Sequence, residues 1–151
     1  MSVSLALHAL AAVIWVGGMF FAHQILRPGV AEWPAPDRQR LWDRVLGRFF
    51  PIVMVCVALL LATGYHMLFA GFGGFAGAGI HVHVMHLTGW LMFLLFFHLY
   101  FAPWRRFRRA VAAGETEAAG SQLATIRLMV GINLVLGLIT VAVGASGRYW
   151  G

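Results

Sequence analysis

HALAAVIWVGGMFFAHQILRP, residues 8–28, and HVMHLTGWLMFLLFFHLYFAP, residues 83–103, carry five uncommon residues in one register. His8, Trp15, Phe21, His23 and Pro28 are each matched 75 positions later, by His83, Trp90, Phe96, His98 and Pro103. A fixed offset of about half of a 151-residue chain marks an internal repeat. Each stretch also belongs to an apolar run long enough to cross a bilayer, which takes about 20 residues as helix. The fold question therefore becomes how two similar membrane helices are placed.

Working outward, the composition agrees. The chain is 61% hydrophobic and 11% charged, against about 25% charged in soluble domains. Four spans are expected, at about residues 3–26, 49–70, 80–102 and 126–146. The first lacks a basic leader and a small-residue cleavage site, so it reads as a retained helix rather than a signal peptide. Arg27 and Pro28 end it. An amphipathic stretch at about 37–48 reads as interfacial helix, and Pro51 falls near the start of the second span, where a missing N–H costs little. GFGGFAGAG, residues 71–79, is an uncharged turn. The single cysteine, Cys56, lies in an apolar run and excludes a disulfide framework.

The net charge of +6 comes from arginine alone. All but Arg148 lie between Arg27 and Arg48 or between Arg105 and Arg127. Short basic clusters between apolar runs are membrane-protein loops on the cytoplasmic side, not a nucleic-acid footprint. The expected fold is an all-α integral membrane protein, a four-transmembrane-helix up-down bundle of two similar hairpins in parallel repeat. It would sit in a bacterial-type inner membrane with both termini on the periplasmic side, with lipid as its first partner.

That orientation sorts the histidines by depth. His8 and His83 fall near the outer side, His23 and His98 near the inner side. The 15-residue spacing within each helix corresponds to about 22 Å and four turns plus roughly 60°. Imidazoles on facing helices are a common way to hold haem iron. The spacing predicts two b-type haems, one on His8 and His83 and one on His23 and His98. Arg27, Arg105 and Arg148 would be available to the haem propionates. Gly17, Gly18 and Gly89, between the two levels, would make room for macrocycles or for close helix approach. Structural roles account equally well for the glycines, and packing is the simpler role for Trp15 and Trp90.

His66, His81 and His86 add imidazoles to the outer side. With His83 and Met85 they form a nitrogen and thioether set suited to copper, and His86 could replace His83 as an outer haem ligand. A water-facing histidine cluster is the plain alternative. Asn133, mid-span, suits an interhelical hydrogen bond. No Ser-His-Asp set, phosphate-binding glycine loop or carboxylate inside a span is present, which argues against a carboxylate proton relay.

LHALAAVIWVGGMFFAHQILRP, HVHVMHLTGWLMFLLFFHLYFAPWRR and the terminal GRYWG resemble the short members of the copper-resistance D (CopD-type) membrane protein family. That resemblance implies copper transport or tolerance. A more distant similarity is to HemJ-type protoporphyrinogen oxidases, through His8, Trp15 and Gly17. The third-helix His-x-Lys of those enzymes is His83-Val84-Met85 here. The expected function is thus a di-haem b-type cytochrome carrying electrons across or along the membrane, with a quinone or a redox partner protein as donor or acceptor. The alternatives are a copper-binding or transport protein using the outer cluster, and a small haem-dependent oxidoreductase acting on porphyrin, quinone or superoxide. The sequence leaves the oligomeric state open.

Overall fold

The computed structural model describes residues 1–150 apart from the side chain of Arg148. Among the described residues, four helices are long and apolar enough to cross a membrane: α1 (Ser2–Gly29), α2 (Ala35–Phe72), α3 (Ile80–Ala113) and α4 (Thr116–Ser146). The protein is an all-helical, multi-pass membrane bundle with up-down connections. α1 packs chiefly on α2, and α3 chiefly on α4. One end of the bundle carries both termini and the 71–79 turn. The other carries the arginine clusters.

The helices run past the expected spans. α2 continues unbroken from the amphipathic stretch through Pro51, which lies inside the helix rather than near its start. The ring offers no N–H to the carbonyl of Gly47 four residues back. The helix persists because one face of its first half is buried: Gln39, Trp42, Leu46 and Phe50 all pack inward. At 38 residues, α2 is about 57 Å long, so its arginine-bearing half projects beyond a hydrocarbon core of about 30 Å. α3 does not stop at Pro103 either. A π-helical turn, Tyr100–Trp104, carries it on into Arg105–Ala113. α1 has a similar turn at Phe21–Leu26.

Glycines end two helices where the backbone turns left-handed. Gly73 (φ 70°) follows α2 and Gly114 (φ 73°) follows α3. The N–H groups of Gly74 and Glu115 then reach back to the carbonyls of Leu68 and Ala110, closing otherwise open helix ends. Only Gly114 and Glu115 separate α3 from α4, which forces these two helices to be antiparallel neighbours.

A column of aromatic rings fills the centre. Trp15 of α1 stacks on Phe93 (5.8 Å between centroids) and meets Phe96 edge-on at 6.0 Å. Phe96 meets Phe50 of α2, and Phe50 meets Trp104 at 5.1 Å. Asn133 of α4 donates to the carbonyl of Met92 at 3.2 Å, the cross-bundle bond expected of it. The hydroxyls of Thr140 and Thr88 meet at 2.7 Å between the same two helices.

The sequence repeat is not a repeat of environments. Trp15 is 2% exposed and its counterpart Trp90 is 38% exposed; Phe21 is 56% exposed and Phe96 is 3%. α1 buries Trp15, Val16, Met19 and Ala22, whereas α3 buries Met92, Phe93, Phe96 and Leu99. After subtraction of the 75-residue offset, the α3 face lies two positions further along. Two residues are a rotation of about 200°. The two helices therefore bury nearly opposite sides of the same pattern.

Gly137 lies where α1, α3 and α4 meet. An added Cβ would come within 2.8 Å of Val16 and 3.1 Å of Met92. Gly137→Ala is expected to destabilise the bundle by about 1–3 kcal/mol through overpacking. Gly17 has open space around it, so Gly17→Ala should leave stability unchanged or raise it. Thermal unfolding of the two variants in detergent checks the contrast.

Candidate metal centre

The rotation of α3 decides where the histidines go. His8 turns toward α2, where its Nδ1 lies 2.9 Å from the Thr63 hydroxyl. His83, at the matching position, is exposed and stacks over Phe75 of the turn at 6.0 Å. His23 is half-buried and faces α4, with its Nε2 against Gly131. His98 is exposed on α3 and makes no hydrogen bond or ring contact among the described residues. No hydrogen bond or ring contact joins any two of these four. Equal spacing along two helices gives equal depth but not equal direction. The Trp15–Phe93 stack packs α1 against α3 between the two histidine levels.

The expected propionate partners are equally dispersed. Arg105 lies over the Phe101 ring at 4.9 Å. Arg27 lines a small cavity beside His23. The side chain of Arg148 lies outside the described residues. Of the glycines set aside for a macrocycle, Gly18 instead receives the Phe49 ring, while Gly17 and Gly89 have open space.

The outer set of histidines and methionine divides into three small groups. On the α1–α2 seam, His66 bonds Ser4 at 3.0 Å one rung beyond the His8–Thr63 pair. On the α3–α4 side, His81 and Met85, four residues apart, rest on Gly147 and Gly144. His86 sits among Tyr65, Phe75 and Trp90, with ring centroids 5.7, 5.0 and 6.4 Å away. Among the described residues, no group of three or more His, Cys, Asp or Glu side chains could hold a metal ion together. The expected copper set of His66, His81, His83, Met85 and His86 is thus spread around the rim of the termini end.

Hydrogen bonding distinguishes His8 from the rest. The Thr63 hydroxyl gives its proton to the Leu59 carbonyl at 2.5 Å. A carbonyl only accepts, so the Thr63 oxygen must accept from His8, and Nδ1 of His8 carries the proton. In that neutral form the lone pair is on Nε2, and the Leu60 carbonyl is a further backbone acceptor beside the ring. Metal-binding histidines are held in this way, by a bond from the second ring nitrogen. Ser4 and Thr63 were not singled out in the sequence; the available signal was a hydroxyl inside an apolar span, opposite a histidine across a hairpin.

A family model described as copper resistance protein D matches residues 43–146. The chain belongs to the copper resistance protein D family. The match covers α3 and α4 whole and most of α2, and it starts beyond α1. No curated protein and no solved structure matches the chain significantly.

Thr63→Val keeps the shape of the side chain and removes the acceptor. It is expected to shift the His8 ring from the Nδ1–H tautomer toward Nε2–H. Imidazole 15N chemical shifts of histidine-labelled protein, assigned with His8→Gln, report this directly. An unchanged His8 signal would contradict the hydrogen-bond assignment.

Proposed function

We propose that the protein binds copper as Cu(I) at the end carrying both termini and hands it on by exchange between weakly bound ligands. His8 is the principal ligand, with His66 beside it. The observation that carries this reading is the Thr63 bond, which presents Nε2 of His8 with a free lone pair. Membership of the copper resistance protein D family supports copper as the cargo.

The geometry favours few ligands per ion. Ser4 and His8 are one turn apart on α1, and Thr63 and His66 one turn apart on α2. The two rungs are therefore separated by about 5 Å along the seam. Two imidazoles at that spacing suit Cu(I), which accepts two-coordinate nitrogen sites and prefers soft ligands such as thioether. His81 and Met85 provide a second nitrogen and sulfur pair across the rim, and His83 and His86 a third. Such pairs bind loosely enough to exchange. By the positive-inside rule the arginine-rich end faces the cytoplasm of a bacterial-type membrane, so copper is received on the outer side.

The test is anaerobic Cu(I) titration of the detergent-purified protein against a coloured chelator. His8→Ala and His66→Ala should each weaken the tightest site at least about tenfold, the scale of losing one ligand or its support. Thr63→Val should weaken it less, and His98→Ala should leave it unchanged. Retention of full affinity in the His8→Ala/His66→Ala double variant would overturn the assignment. A haem absorption spectrum in the purified protein, abolished by His8→Ala, would replace copper with haem at this residue.

A further inference from the structure

At the arginine-rich end, α3 carries Arg105, Arg106, Arg108 and Arg109 beyond its apolar run. The fold uses two of them. Arg105 lies over the Phe101 ring. Arg108 pairs with Asp43 of α2 at 3.3 Å and lies over Trp104. Arg106 and Arg109 are exposed and make no ion pair among the described residues. Both line an open groove of about 500 Å³ between α3 and α4. Glu115 lines it too, just before α4, and makes no side-chain cap bond to that helix. Ala110, Ala113 and Ala118 give the groove its room, because longer side chains at this seam would fill it.

The charges follow an order set by the helix. Arg106 and Arg109 lie about 6 and 10 Å along α3 from Ala102, the end of the expected span. A headgroup layer extends about 5–8 Å past the hydrocarbon. The two arginines thus stand within and just beyond that layer, and Glu115 further out, at the tip of the hairpin. From the membrane outward the groove is positive, then negative. An amine-bearing phospholipid has the complementary order, with phosphate next to the glycerol and ammonium beyond it. We propose that this groove binds the headgroup of phosphatidylethanolamine, with its phosphate on Arg106 and Arg109 and its ammonium on Glu115. Arginine forks match phosphate oxygens, and a primary ammonium has three N–H groups to offer a carboxylate. The groove falls within the range of about 300–1,000 Å³ common to small-ligand sites. Phosphatidylglycerol would bring no cation to Glu115, and the methylated ammonium of phosphatidylcholine has no N–H to donate.

The full chain is delipidated in detergent and given one phospholipid at a time. Binding is read by native mass spectrometry and by the rise in melting temperature. Phosphatidylethanolamine should bind about fivefold more tightly than phosphatidylglycerol or phosphatidylcholine, the scale of one partly exposed ion pair. Glu115→Gln should erase that preference by weakening phosphatidylethanolamine alone. Arg106→Gln with Arg109→Gln should weaken all three lipids, because all carry the phosphate. Ala118→Leu should weaken binding with every charge kept, and Arg44→Gln, exposed on α2 and outside the groove, should have no effect. Equal affinity for the three lipids would overturn the proposal, and so would a preference that survives Glu115→Gln. Glycerophosphoethanolamine, the same headgroup without acyl chains, is the soluble comparison. Binding of it as tight as that of the lipid would assign the groove to a free solute and overturn the lipid. Copper affinity should be the same in Glu115→Gln, so this result is separable from the fate of the copper reading.

Discussion

The contact on which the rest of the bundle depends is the stack of Trp15 on Phe93, extended by Phe96, Phe50 and Trp104. In lipid there is no hydrophobic force to gather helices, and packing must do the work. Large flat rings from three helices supply that packing at mid-depth. They also fix the rotation of α3, since Met92, Phe93 and Phe96 can face Trp15 only if His83 and His98 face elsewhere. The chemistry of the two ends follows from that one rotation. His8 is left to α2, His23 to α4, and the α3 histidines to the rim and the outer surface.

Small residues complete the arrangement where rings do not. Gly137 lets Val16 and Met92 close on α4, Gly18 receives Phe49, and Gly131 receives His23. The same logic explains why Pro51 and Pro103 are tolerated inside long helices. Trp42, Leu46 and Phe50 bury one side of α2 on either flank of Gly47, and Trp104, Phe107 and Ala110 do so for α3 beyond Pro103. Packing beside each proline outweighs one missing hydrogen bond.

The four membrane helices could be read from hydropathy because the chain is apolar over whole spans, and the up-down order followed from the loops. The depth of each histidine was also legible, because rise per residue is fixed. Direction was not. Whether position 83 faces the bundle depends on which side of α3 packs, and an almost uniformly apolar helix shows no face in its sequence. The repeat then suggested a symmetry that the side chains do not keep. The Ser4–His66 and His8–Thr63 rungs were hidden for a related reason. They join residues 62 and 55 positions apart, and only the hairpin register aligns them. The extension of α2 and α3 past their spans was obscured by prolines, whose local preference against helix was overridden by packing.

The aromatic column also separates two chemistries that the repeat had joined. At the termini end, histidines present lone pairs, as with Nε2 of His8, and thioethers lie close by. At the other end the groups are donors without acceptors: Trp42, Arg127 and the Nε2–H of His23. A lone pair can bind a cation, whereas a buried donor without an acceptor is a cost to the fold. The two histidines of α1 differ in the bond made by Nδ1, which lies against Thr63 in His8 and accepts from Gln24 in His23.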